Sequence, residues 1–472
     1  MSLARTIAIN TIIQFAGKAL VVIIGVLEFA IIARYLGQVG YGNYSTVYGF
    51  LAILGILTDL GLQMTTTQLI SDPAQDERKI LSNALTLRLV SSLGFLLLAP
   101  ALILFFPYPP VVKLGVAAAA LGFVFASLTA TLTSLFQKHL AMGKTVVADV
   151  VAKCIFILLL LGVAVFDLGL LGVIWATVAS SLLTFGLLLW FSLRIMPVRP
   201  AFDPAIWKMV LRYTWPLALT IALNLLYFKG DIVILSLYRS QAEVGLYGAP
   251  YKILGVLINA IYLFLGLILP LLSAAAAVRD TQRFKTVVQA VFDLLMLLAA
   301  PMVVGALLLG QPLLVLVAGN EFAISGEIFK ILILATAIIF IAALFGYAVV
   351  ALQQQRQMIK FYALNAVISL ALYFWLIPTY SYWAAAWITV GSEALILLTA
   401  GWVLYVHTRF IPNLTVSGKA LLGSLGMGAA LQFAPDMPVL LAIVLGASVY
   451  LAAIWLLRAI PRHLVLALLN KA

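Results

Sequence analysis

Apolar runs of twenty or more residues follow one another along almost the whole of this 472-residue chain, broken only by short clusters of charge, proline or glycine. At 1.5 Å of rise per residue, each is long enough to cross about 30 Å of hydrocarbon as a helix. With 65% of residues hydrophobic and 9% charged, lipid rather than water must be the solvent for most of the surface. The chain therefore reads as an all-α integral membrane protein. Its breaks give about fourteen spans, starting near Ile7, Gly42, Ile80, Val111, Lys144, Gly169, Met209, Val244, Lys285, Ser325, Met358, Ser381, Gly418 and Val439.

An even number of crossings puts both termini on one side, and the basic residues say which. With the N-terminus cytoplasmic, nineteen Lys and Arg fall on that face, among them Arg78, Lys79, Lys138, Arg194, Arg199, Lys208, Arg212 and Arg356, while Arg34, Lys113 and Arg239 fall on the other. That asymmetry obeys the positive-inside rule for a protein of the cytoplasmic membrane. The net charge of +12 is thus a topology signal, and nucleic acid is not an expected partner. Arg5 before an apolar run imitates a signal peptide, but the run continues to about Tyr35 and has no small-residue cleavage site, so it reads as the first span. The single Cys154 rules out an intrachain disulfide. No connection is long enough for a soluble domain. The longest, Arg194 to Lys208, reads as a cytoplasmic linker broken by Pro197, Pro200 and Pro204.

The sequence also repeats itself. Shifted by 203 residues, Ile31, Tyr35, Gln38, Gly42, Tyr44, Tyr48, Leu51 and Leu54 fall on Ile234, Tyr238, Gln241, Gly245, Tyr247, Tyr251, Leu254 and Leu257, and Glu28 falls on Asp231. At an offset of 212, Trp175, Thr177, Val178, Ser180 and Trp190 fall on Trp387, Thr389, Val390, Ser392 and Trp402. Each copy holds six spans, so both enter from the same side, and a pseudo-twofold axis along the membrane normal relates them. The expected organisation is a six-helix lobe over 1–195, a linker over 196–208, a second six-helix lobe over 209–408, and two additional helices with a cytoplasmic tail over 409–472.

Two stretches make this pattern specific. Arg34-Tyr-Leu-Gly-Gln-Val-Gly-Tyr-Gly-Asn-Tyr-Ser45 followed by Asp59-Leu-Gly-Leu62, and Val244-Gly-Leu-Tyr-Gly-Ala-Pro-Tyr-Lys252, resemble the Wzx-type polysaccharide flippases of the multidrug/oligosaccharidyl-lipid/polysaccharide (MOP) exporter superfamily. The resemblance covers essentially the whole chain, including fourteen spans rather than the twelve usual in the drug-exporting branch. It implies two lobes around a central cavity that opens alternately to each face. It also implies a polyprenyl-diphosphate-linked glycan as cargo, membrane lipids as surroundings, and other polysaccharide-assembly proteins as further partners.

Such a cargo carries an anionic diphosphate, and six cations lie inside hydrocarbon-length stretches: Lys18, Arg88, Lys153, Lys229, Lys252 and Lys330. A charge at the centre of a span costs about 3 kcal/mol on insertion scales, so each needs a polar cavity, an anionic partner or a route for snorkelling. Lys18 sits near mid-membrane with Gln14 and Thr11 on its helix face, and Lys252 follows Gly245, Gly248 and Pro250 with Asn259 one heptad on. These two, with Gln14, Asn259, Arg88, Lys153 and Lys229, are the candidate substrate contacts. Lys153 has Asp149 one turn earlier as a local partner, and Lys330 lies near enough to the outer end to be an interfacial anchor. Buried acids at Glu28, Asp59, Asp231, Asp293 and Glu393 can balance these cations or carry H⁺ or Na⁺. Tyrosines at 35, 41, 44 and 48, with Tyr373, Tyr380, Tyr382 and Trp383, are expected at the outer boundary, where amphipathic rings accumulate. Gln137-Lys138-His139 and Gln353 to Arg356 occupy matching cytoplasmic loops, in water or in reach of sugar.

Catalysis has little to build on. Gly143-Lys144-Thr145 looks like the end of a phosphate-binding loop, but the glycine needed five places earlier is Lys138. His139, His407 and His463 stand apart, without metal-ligand spacing, and no cofactor is implied. The expectation is a carrier, not an enzyme. Two alternatives remain: a cation-coupled drug antiporter of the same superfamily, and a membrane glycan polymerase or ligase, which the short outer loops disfavour.

Overall fold

The computed structural model describes the backbone of residues 3–59, 61–434 and 437–459, and the side chains of these except 3–16, 18–19, 56–59, 215–221 and 223–228. Among the described residues there are thirteen α-helices and no strand. They are α1 (Leu3–Asp59), α2 (Leu62–Ser71), α3 (Glu77–Ile103), α4 (Pro110–Lys138), α5 (Met142–Val165), α6 (Gly169–Leu193), α7 (Pro204–Tyr238), α8 (Gln241–Ala277), α9 (Thr281–Ala318), α10 (Ala323–Ala351), α11 (Gln355–Thr408), α12 (Thr415–Gln432) and α13 (Val439–Leu456). Ten candidate spans are long and apolar enough to cross a membrane. Two of the helices are double. Gly37, at φ 65°, breaks α1 into two arms, and Ser381, at φ 53°, does the same in α11. Counting both arms restores fourteen crossings, with α2 continuing the second after a left-handed turn at Gly61.

These breaks obey the rule that a chain in lipid can interrupt its helical hydrogen bonds only where other partners are at hand. Gly37 tolerates the left-handed region because it has no Cβ. Ser381 does not share that freedom, yet at the 212 offset it falls on Gly169, which is also left-handed at φ 62°. The turn is thus repeated in backbone form although the residue changed.

Two compact units divide the chain, Met1–Gly248 and Ala249–Ala472. In the first, the α3 to α7 connection is not loose. Asn83 Oδ1 accepts from the Asp203 backbone N–H at 2.7 Å, Thr86 Oγ1 accepts from that of Ala201 at 2.9 Å, and Lys79 pairs with Asp203 at 2.8 Å. Asp203 also caps α7 through the Ala205 N–H. The hydrogen bond from Lys79 holds the Asp203 carboxyl below the usual carboxylate range, so this tie persists through neutral pH and is lost only as pH falls through that lowered value. Beneath it, Leu62, Leu69 and Ile70 of α2 pack with Ile80 and Leu81 of α3 and Ile206 and Val210 of α7. The matching loop at 137–139 is likewise tied down, because Lys138 and His139 both bond Glu77, at 2.6 and 2.8 Å.

In the second unit the core gathers Phe284, Phe292, Leu295, Phe340, Leu344 and Leu404 from α9, α10 and α11. The two helices beyond the repeat lie against α9. Met427 and Ile454 pack on Leu297, and the Tyr450 hydroxyl donates to the Leu297 carbonyl at 2.7 Å.

The sequence repeat becomes a physical contact where α1 meets the first turns of α8. A methyl on Gly42 would run into the Gln241 carbonyl oxygen, and one on Gly245 into that of Gln38. These are the same collision written twice, since Gln38 and Gly42 are the repeat mates of Gln241 and Gly245. Three residues on, a methyl on Gly248 would lie 2.7 Å from the hydroxyl of Ser45, again its own mate. Thr46 adds a hydrogen bond to Gln241 Oε1 at 2.7 Å. Close approach of this kind, backbone on backbone through small residues, is how helices gain contact in lipid, where there is no hydrophobic force between them.

Gly42→Ala or Gly245→Ala should therefore lower the apparent melting temperature of the purified protein, by the equivalent of about 1–3 kcal/mol of overpacking. Gly94→Ala, whose methyl would enter open space, should leave it unchanged.

Candidate functional site

Of the cations expected in the membrane whose side chains are described, Arg88 is the most enclosed. It is 2% exposed, its Nε donates to the Ser127 carbonyl of α4 at 3.2 Å, and Ser92 and Ser127 bond beside it at 2.9 Å. This arrangement ties α3 to α4 through a side chain that sequence reading places among the candidate substrate contacts. A donor with five N–H groups is well suited to such a clamp, since it satisfies carbonyls that lipid cannot.

Lys153 has a partner that sequence spacing did not suggest. Its Nζ lies 2.6 and 2.8 Å from the two oxygens of Glu28, joining α5 to the first arm of α1. Both charges are thereby balanced inside the first unit. Glu28's repeat mate Asp231 is 1% exposed and accepts from Tyr247 at 2.7 Å, while Tyr247's own mate, Tyr44, lies beside Glu28. An acid next to a tyrosine is thus common to both repeats, and in the first the acid is also ion-paired to a lysine of another helix. Lys229 is half-buried, with Asp231 supplying the opposite charge.

Lys252 and Asn259 are both exposed on α8, seven residues apart and so on one face. The side chains of Lys18, Gln14 and Asp59 lie outside the described residues. Lys330 pairs with Glu327 at 2.7 Å, one turn away. Asp293 accepts from Gln289 at 2.8 Å, and the same Gln289 bonds the backbone of Asn413 in both directions, which fastens α9 to the loop before α12. Glu393 differs from the other acids. It is 4% exposed and makes no hydrogen bond or ion pair with another described residue, with Tyr262 and Tyr362 as its polar neighbours. Among the described residues no group of three or more His, Cys, Asp or Glu is placed to hold a metal ion.

The tyrosines after Gly37 also need correction. Tyr41 and Tyr44 are 1% and 7% exposed, and rings run in contact from Phe29 through Tyr41 and Tyr44 to Tyr48, with centroids 5.4, 5.9 and 4.5 Å apart. They form the interior of the first unit, not a lipid-facing belt. Tyr373 is buried as well, whereas Tyr380 and Trp383 are exposed near the turn of α11. Tyr35 bonds the α5–α6 turn, donating to Asp167 at 3.0 Å and accepting from the Gly169 N–H at 2.8 Å.

Lys153→Met should destabilise the protein by about 1–3 kcal/mol, because it leaves the Glu28 carboxylate uncompensated, with the partial exposure of the pair reducing the cost. Adding Glu28→Gln should recover most of the loss. A double variant whose loss in thermal denaturation equals the sum of the two single-variant losses would show that the pair is not coupled.

Comparison with known proteins places the fold. None of the curated protein sequences matches the chain. Among solved structures, it is similar to the lipid II flippase MurJ in an inward closed conformation, with a TM-score of 0.79 at 14% identity over 97% of this chain and 100% of that one. It is also similar to an inward-facing multidrug resistance MATE family transporter of the MOP superfamily, with a TM-score of 0.64 at 11% identity over 84% of this chain and 97% of that one. A MOP superfamily transporter from Pyrococcus furiosus gives a TM-score of 0.60 at 12% identity over 86% and 94%. At such identities these likenesses establish the architecture, a MOP-type all-α membrane fold. The family model described as polysaccharide biosynthesis protein matches residues 7–276, more than half of the sequence, and the chain belongs to that family.

Proposed function

We propose that this protein carries a polyprenyl-diphosphate-linked oligosaccharide from the cytoplasmic to the outer leaflet by alternating access. Membership of the polysaccharide biosynthesis family supports the class of cargo. The observation that favours a lipid-linked cargo over a drug is the extent of the fold match. It reaches 97% of the chain for the lipid flippase and 84–86% for the drug-exporter and Pyrococcus structures, a shortfall about the size of segment 409–472. A drug antiporter has no need of α12 and α13, whereas a carrier whose cargo trails a long apolar tail gains from added helices beside the bilayer.

In this reading the two six-helix lobes, 1–195 and 209–408, rock about their pseudo-twofold axis, with 196–208 as the connection. The diphosphate and glycan cross in the cavity while the tail stays in lipid, alongside 409–472. Lys18 and Lys252 hold the diphosphate, assisted by Gln14, Asn259 and Lys229. Charge-assisted bonds of this kind replace the hydration that the membrane interior cannot supply. An inside-negative potential of 100 mV contributes about 4–5 kcal/mol toward export of a headgroup with two negative charges, so transport does not require a coupled ion. If an ion is coupled, H⁺ or Na⁺, Glu393 is the acid for it, because it is buried without a balancing charge among the described residues.

The test is reconstitution into vesicles with a fluorescent short-chain polyprenyl-diphosphate sugar and measurement of its loss from one leaflet. The wild type should accelerate flipping, faster with the potential negative on the donor side. Lys18→Ala and Lys252→Ala should each abolish it while membrane insertion and thermal stability stay intact. Export of cationic dyes without any lipid flipping would establish the drug-antiporter reading instead.

A further inference from the structure

Asn365, in the first arm of α11, is 1% exposed, and neither its amide nitrogen nor its carbonyl oxygen has a hydrogen-bond partner among the described residues. A group in that condition costs free energy wherever water cannot reach it. Asn365 is not sealed in packing, however. It lines a groove of about 490 Å³ whose walls come from both arms of α11, with Leu372 and Leu376 on one side and Ile388 and Leu395 on the other. Ser369 and Ser392 line it as well. Ser369 is 1% exposed and makes no hydrogen bond with a described residue, while Ser392 donates to the Thr389 carbonyl and keeps an oxygen able to accept. A methyl built on Gly391 would meet nothing within 4 Å, so the space beside it is open. Tyr380, Trp383 and Trp387, all exposed, line the end toward the turn at Ser381.

The first repeat carries the same groove without the polar end. Between α5 and α6 a space of about 590 Å³ is lined by Gly172, Trp175 and Ala179, which at the 212 offset fall on Ala384, Trp387 and Gly391. Its facing wall is Leu158, Leu159, Gly162 and Val163, with no polar side chain. A lateral groove between the fifth and sixth helices of a repeat is therefore a property of the fold. The carboxamide inside it belongs to the second copy alone.

Three properties select the ligand. No charged side chain lines the groove, so a phosphate or an ionised carboxylate would lie there without a counter-ion. Asn365 calls for a partner that donates to Oδ1 and accepts from Nδ2 along one edge, which a protonated carboxylic acid does with its O–H and C=O. From Asn365 to Tyr380 is about 22 Å of helix, so about 490 Å³ spread over that length leaves a cross-section of about 22 Å². That admits one hydrocarbon chain and excludes a helix, which is about 10 Å across.

We infer that the groove between the arms of α11 binds a long-chain fatty acid in its neutral form, the carboxyl paired edge to edge with the Asn365 carboxamide and the chain running toward Tyr380. In the orientation expected from the basic residues, that is the direction an inner-leaflet chain takes. No residue proposed to hold the diphosphate lines this groove, so the site stands whether or not the protein flips a lipid.

Dibromostearic acid, whose bromines quench nearby tryptophans, is the probe. Added to the detergent-purified full chain, it should quench a saturable part of the fluorescence. Its methyl ester, which accepts but cannot donate, should need a roughly tenfold higher concentration for half-saturation, the scale of a lost hydrogen bond to a buried group. The primary amide, which keeps both partners and cannot ionise, should match the acid. The acid-selective quenching should vanish in Trp383→Phe/Trp387→Phe, in Asn365→Leu and in Gly391→Phe, and persist in Gly162→Phe, which fills the groove of the first repeat instead. Stearic acid should raise the melting temperature of the wild type but not of Asn365→Leu. Equal half-saturation by acid and ester in the wild type would overturn the proposal, and that comparison needs no variant to fold. Acid-selective quenching that persists in Gly391→Phe would overturn it as well. So would a purified dimer that takes up no acid and that Gly391→Phe converts to monomer, which would assign the groove to a second copy of this chain.

Discussion

A peptide group in hydrocarbon has no solvent to bond, and this one constraint shapes the molecule from helix length to charge placement. It keeps the backbone helical wherever lipid surrounds it and confines the breaks to positions such as Gly37, Gly61, Gly169 and Ser381. It also explains why several buried polar groups come in satisfied sets. Arg88 reaches a carbonyl of the next helix, Glu28 and Lys153 neutralise each other, Asp231 takes the Tyr247 hydroxyl, and Gln289 joins Asp293 to the backbone at Asn413. Each set costs more to break than to keep, since the orphaned partner would face the same unresponsive medium.

Against that background, groups left without partners carry information. Glu393 within α11 stands out in this way. It is a buried acid whose polar neighbours among the described residues are Tyr262 and Tyr362.

The sequence made the spans, the repeat and the two double helices' turning points legible, because length of apolar run and interruption by Gly or charge are local properties. The exceptions are all questions of facing. Helices that are apolar on every side give no stripe to mark their inner face, so the tyrosines at 41 and 44 could not be told from an interfacial belt. Lys153 had an acid one turn away, and its contact with Glu28, 125 residues distant, needed the fold. Arg88 bonds the Ser127 carbonyl of the next helix, an acceptor that no sequence pattern marks. The tight docking of the proline-broken linker through Asn83, Thr86 and Lys79 is of the same kind.

The paired collisions at Gly42 and Gly245 have a consequence for how such a chain is assembled. A surface in which each residue meets its own duplicate is what two identical molecules make about a twofold axis. With both duplicates on one polypeptide, the encounter becomes intramolecular and proceeds at an effective concentration fixed by the tether, independent of how sparsely the protein populates its membrane. Tandem fusion also releases the halves from being identical: Glu28 is ion-paired to Lys153 of another helix, whereas its mate Asp231 accepts the Tyr247 hydroxyl.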